Sequence, residues 1–183
     1  MINKAITFAV KAHDGQHRKG TTLPYILHPM EVGMIVSRMT DDEDVVAAAI
    51  LHDTVEDCEE VSVDMICREF GERIAALVER ESEDKNLSWE ERKNATLQAL
   101  KAETRREMKL IALGDKLSNI RCIYGDYIRI GDEVWQRFNV RSKEKQGWYY
   151  RGLCDALSDL SDMGEYAEFC RLVGLVFGDV AAK

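Results

Sequence analysis

The stretch AAAILHDTVED at positions 47–57 decides the fold, because it places a polar pair inside an otherwise apolar helical pattern. Val45, Ala48, Ala49, His52 and Asp53 follow the i, i+3, i+4, i+7, i+8 spacing of one helix face. That face should be buried, and a buried carboxylate is costly unless it is paired or binds a metal. We therefore expect His52 and Asp53 to reach one divalent ion between helices.

Two other segments interrupt an apolar pattern in the same way. On one helical stripe, Asp115 and Asn119 follow the apolar residues Met108, Ile111 and Ala112. His28 stands directly before Pro29, which suits the first position of a helix. A single buried histidine is more often a hydrogen-bonded core residue than a ligand, so the agreement of three segments matters. Two imidazoles and two carboxylates match the ligands of manganese, iron or zinc.

An acidic pair follows the His-Asp pair by one helical turn. Glu56 and Asp57 are four residues after His52 and Asp53 respectively, so both carboxylates should lie over the ion if the helix ends there. Water beside a divalent ion is acidic enough to react near neutral pH, and an adjacent carboxylate can take its proton. The sequence therefore predicts a hydrolytic metal site.

The remaining sequence predicts an all-α fold in a single domain over residues 1–183. Its only two prolines are Pro24 and Pro29, and no alternating strand pattern is bounded by turn residues. Residues 14–25 are typical of a loop. Helix starts are predicted at Thr40, Ser62, Ser88 and Thr104, an irregular connection at 125–147, and a last helical pair at about 148–177.

Composition limits the classes of partner. Apolar residues make up 45% of the chain and charged residues 32%, with a net charge of −8, so general binding to nucleic acid is disfavoured. An anionic substrate then needs a local basic cluster or a metal. The five cysteines form no C-x-x-C pair, and we expect neither a cysteine zinc site nor a disulfide framework. With no secretory signal and no apolar run of about 20 residues, the sequence predicts a cytoplasmic protein without membrane contact.

Several motifs resemble one enzyme family. HDGQHRKGTTLPYILHP at 13–29, AAAILHDTVED at 47–57 and LIALGDKLSNIR at 110–121 resemble the hydrolase domain of the bacterial Rel and SpoT alarmone enzymes. EDKNLSWEERK at 83–93 more specifically resembles the stand-alone small alarmone hydrolases. Together these motifs cover about residues 5–125, in the order and spacing of the family.

The resemblance implies an all-helical HD-domain bundle that binds manganese and removes the 3′-pyrophosphate from guanosine tetra- or pentaphosphate, releasing GDP or GTP. It assigns metal ligands (His28, His52, Asp53, Asp115), a catalytic acidic pair (Glu56, Asp57) and substrate contacts (Arg18, Lys19, Lys93, Asn119). Basic side chains beside a stacking surface suit a nucleotide with two diphosphate arms.

Departures from the family pattern leave the base of the nucleotide open. Cys58 stands where threonine is usual, Gly114 where alanine is usual, and residues 126–183 depart most. An adenine alarmone or the 2′-phosphate of NADPH is an alternative substrate. A non-catalytic alarmone-binding module is a further alternative, which the complete ligand set and the intact acidic pair disfavour. The sequence does not determine the oligomeric state.

Overall fold

The computed structural model describes residues 1–79 and 86–178. It divides into two compact units, one formed by residues 1–81 and 110–118 and the other by 82–109 and 119–183. The first three residues of the 83–93 motif lie outside the described part of the chain. A single domain over residues 1–183 stays a prediction.

The predicted all-α fold is confirmed over the described residues, which contain helices and one isolated bridge between His17 and Pro24 but no strand. The first unit holds α1 (Ile2–Ala12), α2 (Leu27–Val36), α3 (Glu43–Leu51), α4 (Thr54–Asp57), α5 (Val63–Phe70) and α6 (Glu72–Val78). The second holds α7 (Trp89–Ala102), most of α8 (Arg106–Ile130), α9 (Lys143–Ala156) and α10 (Gly164–Phe177), with short 3-10 helices at Gly131–Arg137 and Ser158–Leu160. Residues 110–118 of α8 belong to the first unit.

Two of the four predicted helix starts are confirmed. The Ser62 hydroxyl accepts a hydrogen bond from the Met65 N–H, and Ser88 forms a full capping box with Glu91. Both signals are local, so the sequence suffices to predict them.

The helix starts predicted at Thr40 and Thr104 are wrong, because the capping positions are Asp42 for α3 and Arg105 for α8. Asp42 caps α3 by accepting the Asp44 N–H, while Thr40 accepts the Asp42 N–H in the preceding turn. At α8 the Glu103 carboxylate accepts the N–H of Arg105, after which the helix begins. In each case a nearby carboxylate provides the acceptor that the sequence assigned to a threonine hydroxyl.

The irregular connection predicted at 125–147 is largely helical. Helix α8 continues to Ile130 and ends at Gly131, whose φ of +60° favours glycine. A 3-10 helix follows, and α9 begins at Lys143 behind the Ser142 cap, five residues before the predicted last helical pair. Polar and apolar contacts both hold the segment, since Asp126 forms ion pairs with Arg129 and Arg137 while Val134 and Trp135 are buried.

Helix α3 forms the centre of the first unit, since every residue from Val45 to Leu51 is buried. It packs against α1, α2 and α6. Close approach of the helices depends on Gly33 and Gly114. A Cβ atom at Gly33 would lie 2.5 Å from Ile50 Cγ1, and one at Gly114 would lie 2.7 Å from Val36 Cγ2. The backbones of α2, α3 and α8 can therefore bring their polar side chains together.

Among the residues that the structure describes, no helix is both long enough and apolar enough to cross a membrane. The cytoplasmic location stays a prediction.

Candidate metal centre

The His-Asp pair lies at a helix junction rather than inside one helix. Helix α3 ends at Leu51, His52 keeps helical dihedral angles, and Asp53 precedes α4. The Thr54 hydroxyl donates to the Leu51 carbonyl at 2.7 Å, which satisfies one of the carbonyl groups left open at the end of α3. The sequence correctly predicted burial of the pair but not the break between the two helices.

Four side chains from this junction, α2 and α8 converge. One ligand atom each of His28, His52 and Asp53 lies within 4.8 Å of the other two. Asp53 Oδ2 is 3.0 Å from His52 Nε2 and 3.5 Å from His28 Nε2. Asp115 Oδ1 is 3.3 Å from His28 Nε2 and 3.8 Å from His52 Nε2. The structure thus brings together all four residues that the sequence predicted as ligands.

The hydrogen bonds of His52 fit a bound cation. His52 is 2% exposed, and its Nδ1 is 2.8 Å from the Ala49 carbonyl, which can only accept, so Nδ1 carries the proton. Its Nε2 is buried without a hydrogen-bond partner and lies 3.0 Å from a carboxylate oxygen. Two acceptors at that distance repel each other unless a proton or a metal ion lies near both. HD domains depend on metal ions, and this group of residues fits one.

Electrostatics within the cluster point the same way. Burial opposes ionisation of Asp115, but Lys116 and the two imidazoles outweigh it and hold the pKa of Asp115 well below its usual range. Burial also opposes charge on His28, yet hydrogen bonds to Asp115 and Asp53 raise the pKa of His28 overall. The cluster is therefore a negative site that attracts a cation.

Tyr25 is a site residue that the sequence reasoning missed. Its hydroxyl donates to Asp53 Oδ2 at 2.7 Å. Burial, and then the charge of Asp53, raise the pKa of Tyr25, so the phenol keeps its proton and remains a donor. The spacing of Tyr25 three residues before His28 was the available signal. This contact holds the Asp53 carboxylate in a fixed orientation.

The acidic pair lies on the short helix α4 directly after the cluster. Both Glu56 and Asp57 are exposed as residues. Burial around the Asp57 carboxyl group, and then the charge of Asp53, raise the pKa of Asp57. The Gln16 amide donates to the Asp57 carbonyl at 2.9 Å and lies 2.8 Å from His13 Nδ1, which ties α4 to the loop after α1.

The predicted substrate contacts fall in both units. Arg18 and Lys19 lie in the loop of the first unit, with the Arg18 guanidinium 5.9 Å from the centre of the Tyr25 ring. Lys93 belongs to the second unit, where its ammonium group is 5.4 Å from the centre of the Tyr149 ring. Asn119 is assigned to the second unit and is partly exposed on α8.

Glu31 and Ser118 are two further residues that the sequence reasoning missed. Ser118 Oγ is 2.9 Å from His28 Nδ1 and 2.8 Å from Glu31 Oε2. Ser118 is three residues after Asp115 on the same apolar helix, so the spacing of polar residues on α8 was the available signal.

Comparisons with known proteins agree with this architecture. The HD-domain family matches residues 5–139. Human guanosine-3′,5′-bis(diphosphate) 3′-pyrophosphohydrolase MESH1 is 36% identical over 143 residues, which is 75% of each chain. The enzyme of that activity from Aquifex aeolicus is 32% identical over 125 residues, or 67% of this chain and 18% of the relative. The chain thus spans less than a fifth of that longer protein.

A solved structure is similar in fold as well as in sequence. It is described as a metazoan ortholog of SpoT that hydrolyses ppGpp, and it aligns with a TM-score of 0.69 at 27% identity. The alignment covers 96% of this chain and 93% of the other. These matches confirm the resemblance that the motifs indicated, and the chain belongs to the HD-domain family, together with the MESH1-type pyrophosphohydrolases.

Proposed function

We propose that the protein removes the 3′-pyrophosphate of guanosine tetra- or pentaphosphate, giving GDP or GTP and pyrophosphate, with Mn²⁺ as its metal ion. The similarity to MESH1 over three quarters of both chains supports this substrate. The observation that carries the proposal is the cluster of two imidazole Nε2 atoms and two carboxylates directly before an acidic pair.

His28, His52, Asp53 and Asp115 would hold the metal ion. Their mixed nitrogen and oxygen donors suit manganese, and the negative charge of the two carboxylates suits a divalent cation. When bound, the ion supplies Lewis-acid polarisation of a phosphoryl oxygen and increases the acidity of nearby water. Tyr25 keeps the Asp53 carboxylate oriented through its 2.7 Å hydrogen bond.

Glu56 and Asp57 would manage the protons of the hydrolysis. The raised pKa of Asp57 makes this carboxylate a better proton acceptor than an ordinary aspartate near neutral pH. Asp57 would take the proton of the water that attacks the phosphorus, and Glu56, exposed on the same short helix, would return a proton to the departing 3′-oxygen of GDP or GTP, while the attacked phosphorus leaves as part of pyrophosphate. A reaction of this type breaks the bond between the 3′-oxygen and phosphorus.

Arg18, Lys19, Lys93 and Asn119 would contact the substrate. Arg18 already lies against the Tyr25 ring, and its planar cation can also stack on a purine base. Lys93 offers a positive charge held against the Tyr149 ring, which suits a phosphate group. These local cations would compensate for a chain whose overall charge is −8.

The direct test incubates the purified, manganese-loaded protein with guanosine tetraphosphate, its adenine counterpart and NADPH in parallel. We expect release of pyrophosphate from the guanine alarmone and little release of phosphate from NADPH. Faster turnover of either alternative would replace the proposed substrate while keeping the metal site. Absence of turnover with all three, in protein that demonstrably holds manganese, would contradict the hydrolase proposal.

A further inference from the structure

We infer that Ser118 and Glu31 are positioning residues, which fix the protonation and orientation of His28 so that its Nε2 atom faces the metal ion. The inference rests on the proposed metal site, because it assigns a role to side chains behind one of the ligands. Neither residue lies in the ligand set or in the acidic pair.

The contacts form a continuous chain behind His28. Its Nδ1 atom is 2.9 Å from Ser118 Oγ, and Ser118 Oγ is 2.8 Å from Glu31 Oε2. His28 is 3% exposed and Ser118 is 1% exposed, so water does not compete for these bonds. Glu31 is partly exposed, which lowers the cost of its charge.

Counting protons decides the direction of each bond. The Ser118 hydroxyl has one proton, and a carboxylate can only accept, so the proton points to Glu31. Ser118 Oγ must then accept from His28, which places a proton on Nδ1. If Ser118 instead donated to Nδ1, its oxygen lone pairs would face the Glu31 carboxylate at 2.8 Å and be repelled. A neutral His28 with a proton on Nδ1 has its lone pair on Nε2, the atom that faces Asp53 and Asp115.

The two imidazoles differ in what holds the proton on Nδ1, since His52 contacts a backbone carbonyl and His28 contacts a side chain. The proton on His52 Nδ1 is held by the backbone carbonyl of Ala49, an acceptor that no substitution removes. His28 relies instead on a serine from α8 and a glutamate from α2. Substitutions at these two positions should therefore weaken the metal site through His28 alone.

The first experiment measures Mn²⁺ affinity by titration calorimetry on the full chain after removal of metal. Ser118→Ala should weaken binding by about 10- to 100-fold, the usual effect of losing a partner behind a metal-binding histidine. Glu31→Ala should weaken it less, and Glu31→Gln should recover most of the affinity because the amide oxygen still accepts from Ser118. Ser37→Ala is the matched control, since that hydroxyl bonds a backbone carbonyl at the exposed end of α2.

A second readout separates positioning from a loss of packing. In the zinc-loaded protein, nitrogen NMR of the four histidine rings should show His28 protonated at Nδ1 in the wild type. Ser118→Ala should convert this ring to a mixture of both neutral forms. His28→Gln assigns the signal, and Glu31→Ala, at a partly exposed position, remains informative if Ser118→Ala fails to fold.

The outcomes distinguish this inference from the proposed function. If His28→Gln binds Mn²⁺ as tightly as the wild type, the proposed ligand set itself is wrong. If His28→Gln loses affinity while Ser118→Ala and Glu31→Ala stay within about twofold of the wild type, only the positioning role is overturned. A wild-type His28 ring protonated at Nε2 in the zinc-loaded protein also overturns it.

Discussion

The two units of the chain bury different kinds of side chain. The first buries a connected set of polar groups, among them His28, His52, Asp115 and Ser118, while in the second the buried polar residues of the described part are Lys109 and Gln146. In the second unit aromatic rings pack together instead, with ring centres 5.3 Å apart for Trp135 and Phe177, 5.5 Å for Tyr150 and Phe177, and 5.9 Å for Tyr149 and Tyr150.

This difference sets how each unit should respond to substitution. When a buried polar group loses its partner, its desolvation is no longer compensated and the folded protein is destabilised by that full amount. Substitutions in the first unit should therefore have large effects on metal binding and stability. Cations in the second unit lie over ring faces, such as Lys143 at 4.5 Å from the Tyr127 ring centre and Lys93 over Tyr149. Their loss should change substrate binding or stability by smaller amounts and leave the metal site intact.

The largest effect is expected for Asp53→Ala. The change removes the carboxylate nearest to His52 Nε2 and leaves the Tyr25 hydroxyl without its acceptor. We expect loss of tight manganese binding and a decrease of at least about 10³-fold in kcat/KM, since a catalytic metal supplies several kcal/mol. Metal analysis by mass spectrometry and pyrophosphate release measure the two effects separately.

Glu56→Ala should lose rate without losing metal. Glu56 lies beyond the cluster on α4, and its carboxylate is assigned to proton transfer, so kcat should fall by about 10²-fold or more while the metal content stays at the wild-type level. The same two assays apply. Equal loss of metal in Glu56→Ala and Asp53→Ala would contradict the separate roles of acidic pair and ligand.

Manganese affinity should increase with pH. The pKa of His28 is raised above its ordinary value of 6.5, and the metal needs the neutral ring, so protons compete with the ion until the pH passes the raised value. Below the raised pKa of His28 the affinity should rise by about tenfold for each pH unit, and above that pKa it should level off. Calorimetric titration at several pH values measures this, and a flat profile would count against His28 as a ligand.

The metal-free protein should show the opposite trend in stability. Because the pKa of His28 is higher in the folded than in the unfolded protein, protonation of His28 stabilises the fold. This contribution is complete at a pH below the unfolded-state pKa and is lost as the pH rises through the folded-state pKa. The unfolding free energy contributed by His28 therefore falls above pH 6.5, while the stabilisation from added manganese grows. Thermal unfolding with and without metal, compared with His28→Gln, isolates this contribution.

Lys93→Ala should affect the second unit without touching the metal site. Losing one charged contact to a phosphate group should raise KM by about tenfold, whereas loss of the contact with the Tyr149 ring should cost less than about 1 kcal/mol of stability. Steady-state kinetics and metal titration measure the two effects. The control is Lys101→Ala, which removes an exposed cation in the last turn of the same helix.

The smallest effect is expected for Gly114→Ala, which restores the residue usual in the family. The added Cβ would lie 2.7 Å from Val36 Cγ2 and 3.3 Å from Val32 Cγ1, and branched side chains have little freedom to move. Overpacking of about 2 kcal/mol should exceed the gain of about 1 kcal/mol in helix propensity, so the net unfolding free energy should fall slightly. Urea unfolding measures it, and adding Val36→Ala should relieve the clash; a stabilised Gly114→Ala would show that α2 shifts freely.

Much of the fold and of the site could be predicted because the signals are local. The all-α class, the caps at Ser62 and Ser88 and the buried polar positions directly after α3 and on α8 all follow from spacing along the chain. The helical character of 125–137 was missed because its two buried residues, Val134 and Trp135, are adjacent and form no periodic apolar stripe, while charge pairs such as Asp126 with Arg137 also hold the segment.

The sequence by itself determined four of the side chains that meet in the cluster, because helical periodicity places His52, Asp53 and Asp115 on buried faces and His28 stands directly before Pro29. Only the tertiary structure decided how they are held there. The helix break after Leu51 places His52 and Asp53 between α3 and α4. The proton on His28 Nδ1 depends on a hydrogen bond between Ser118 and Glu31, which are 87 residues apart. Periodicity carries no information on such pairs, since the direction of a hydrogen bond is set by the side chains that packing brings together.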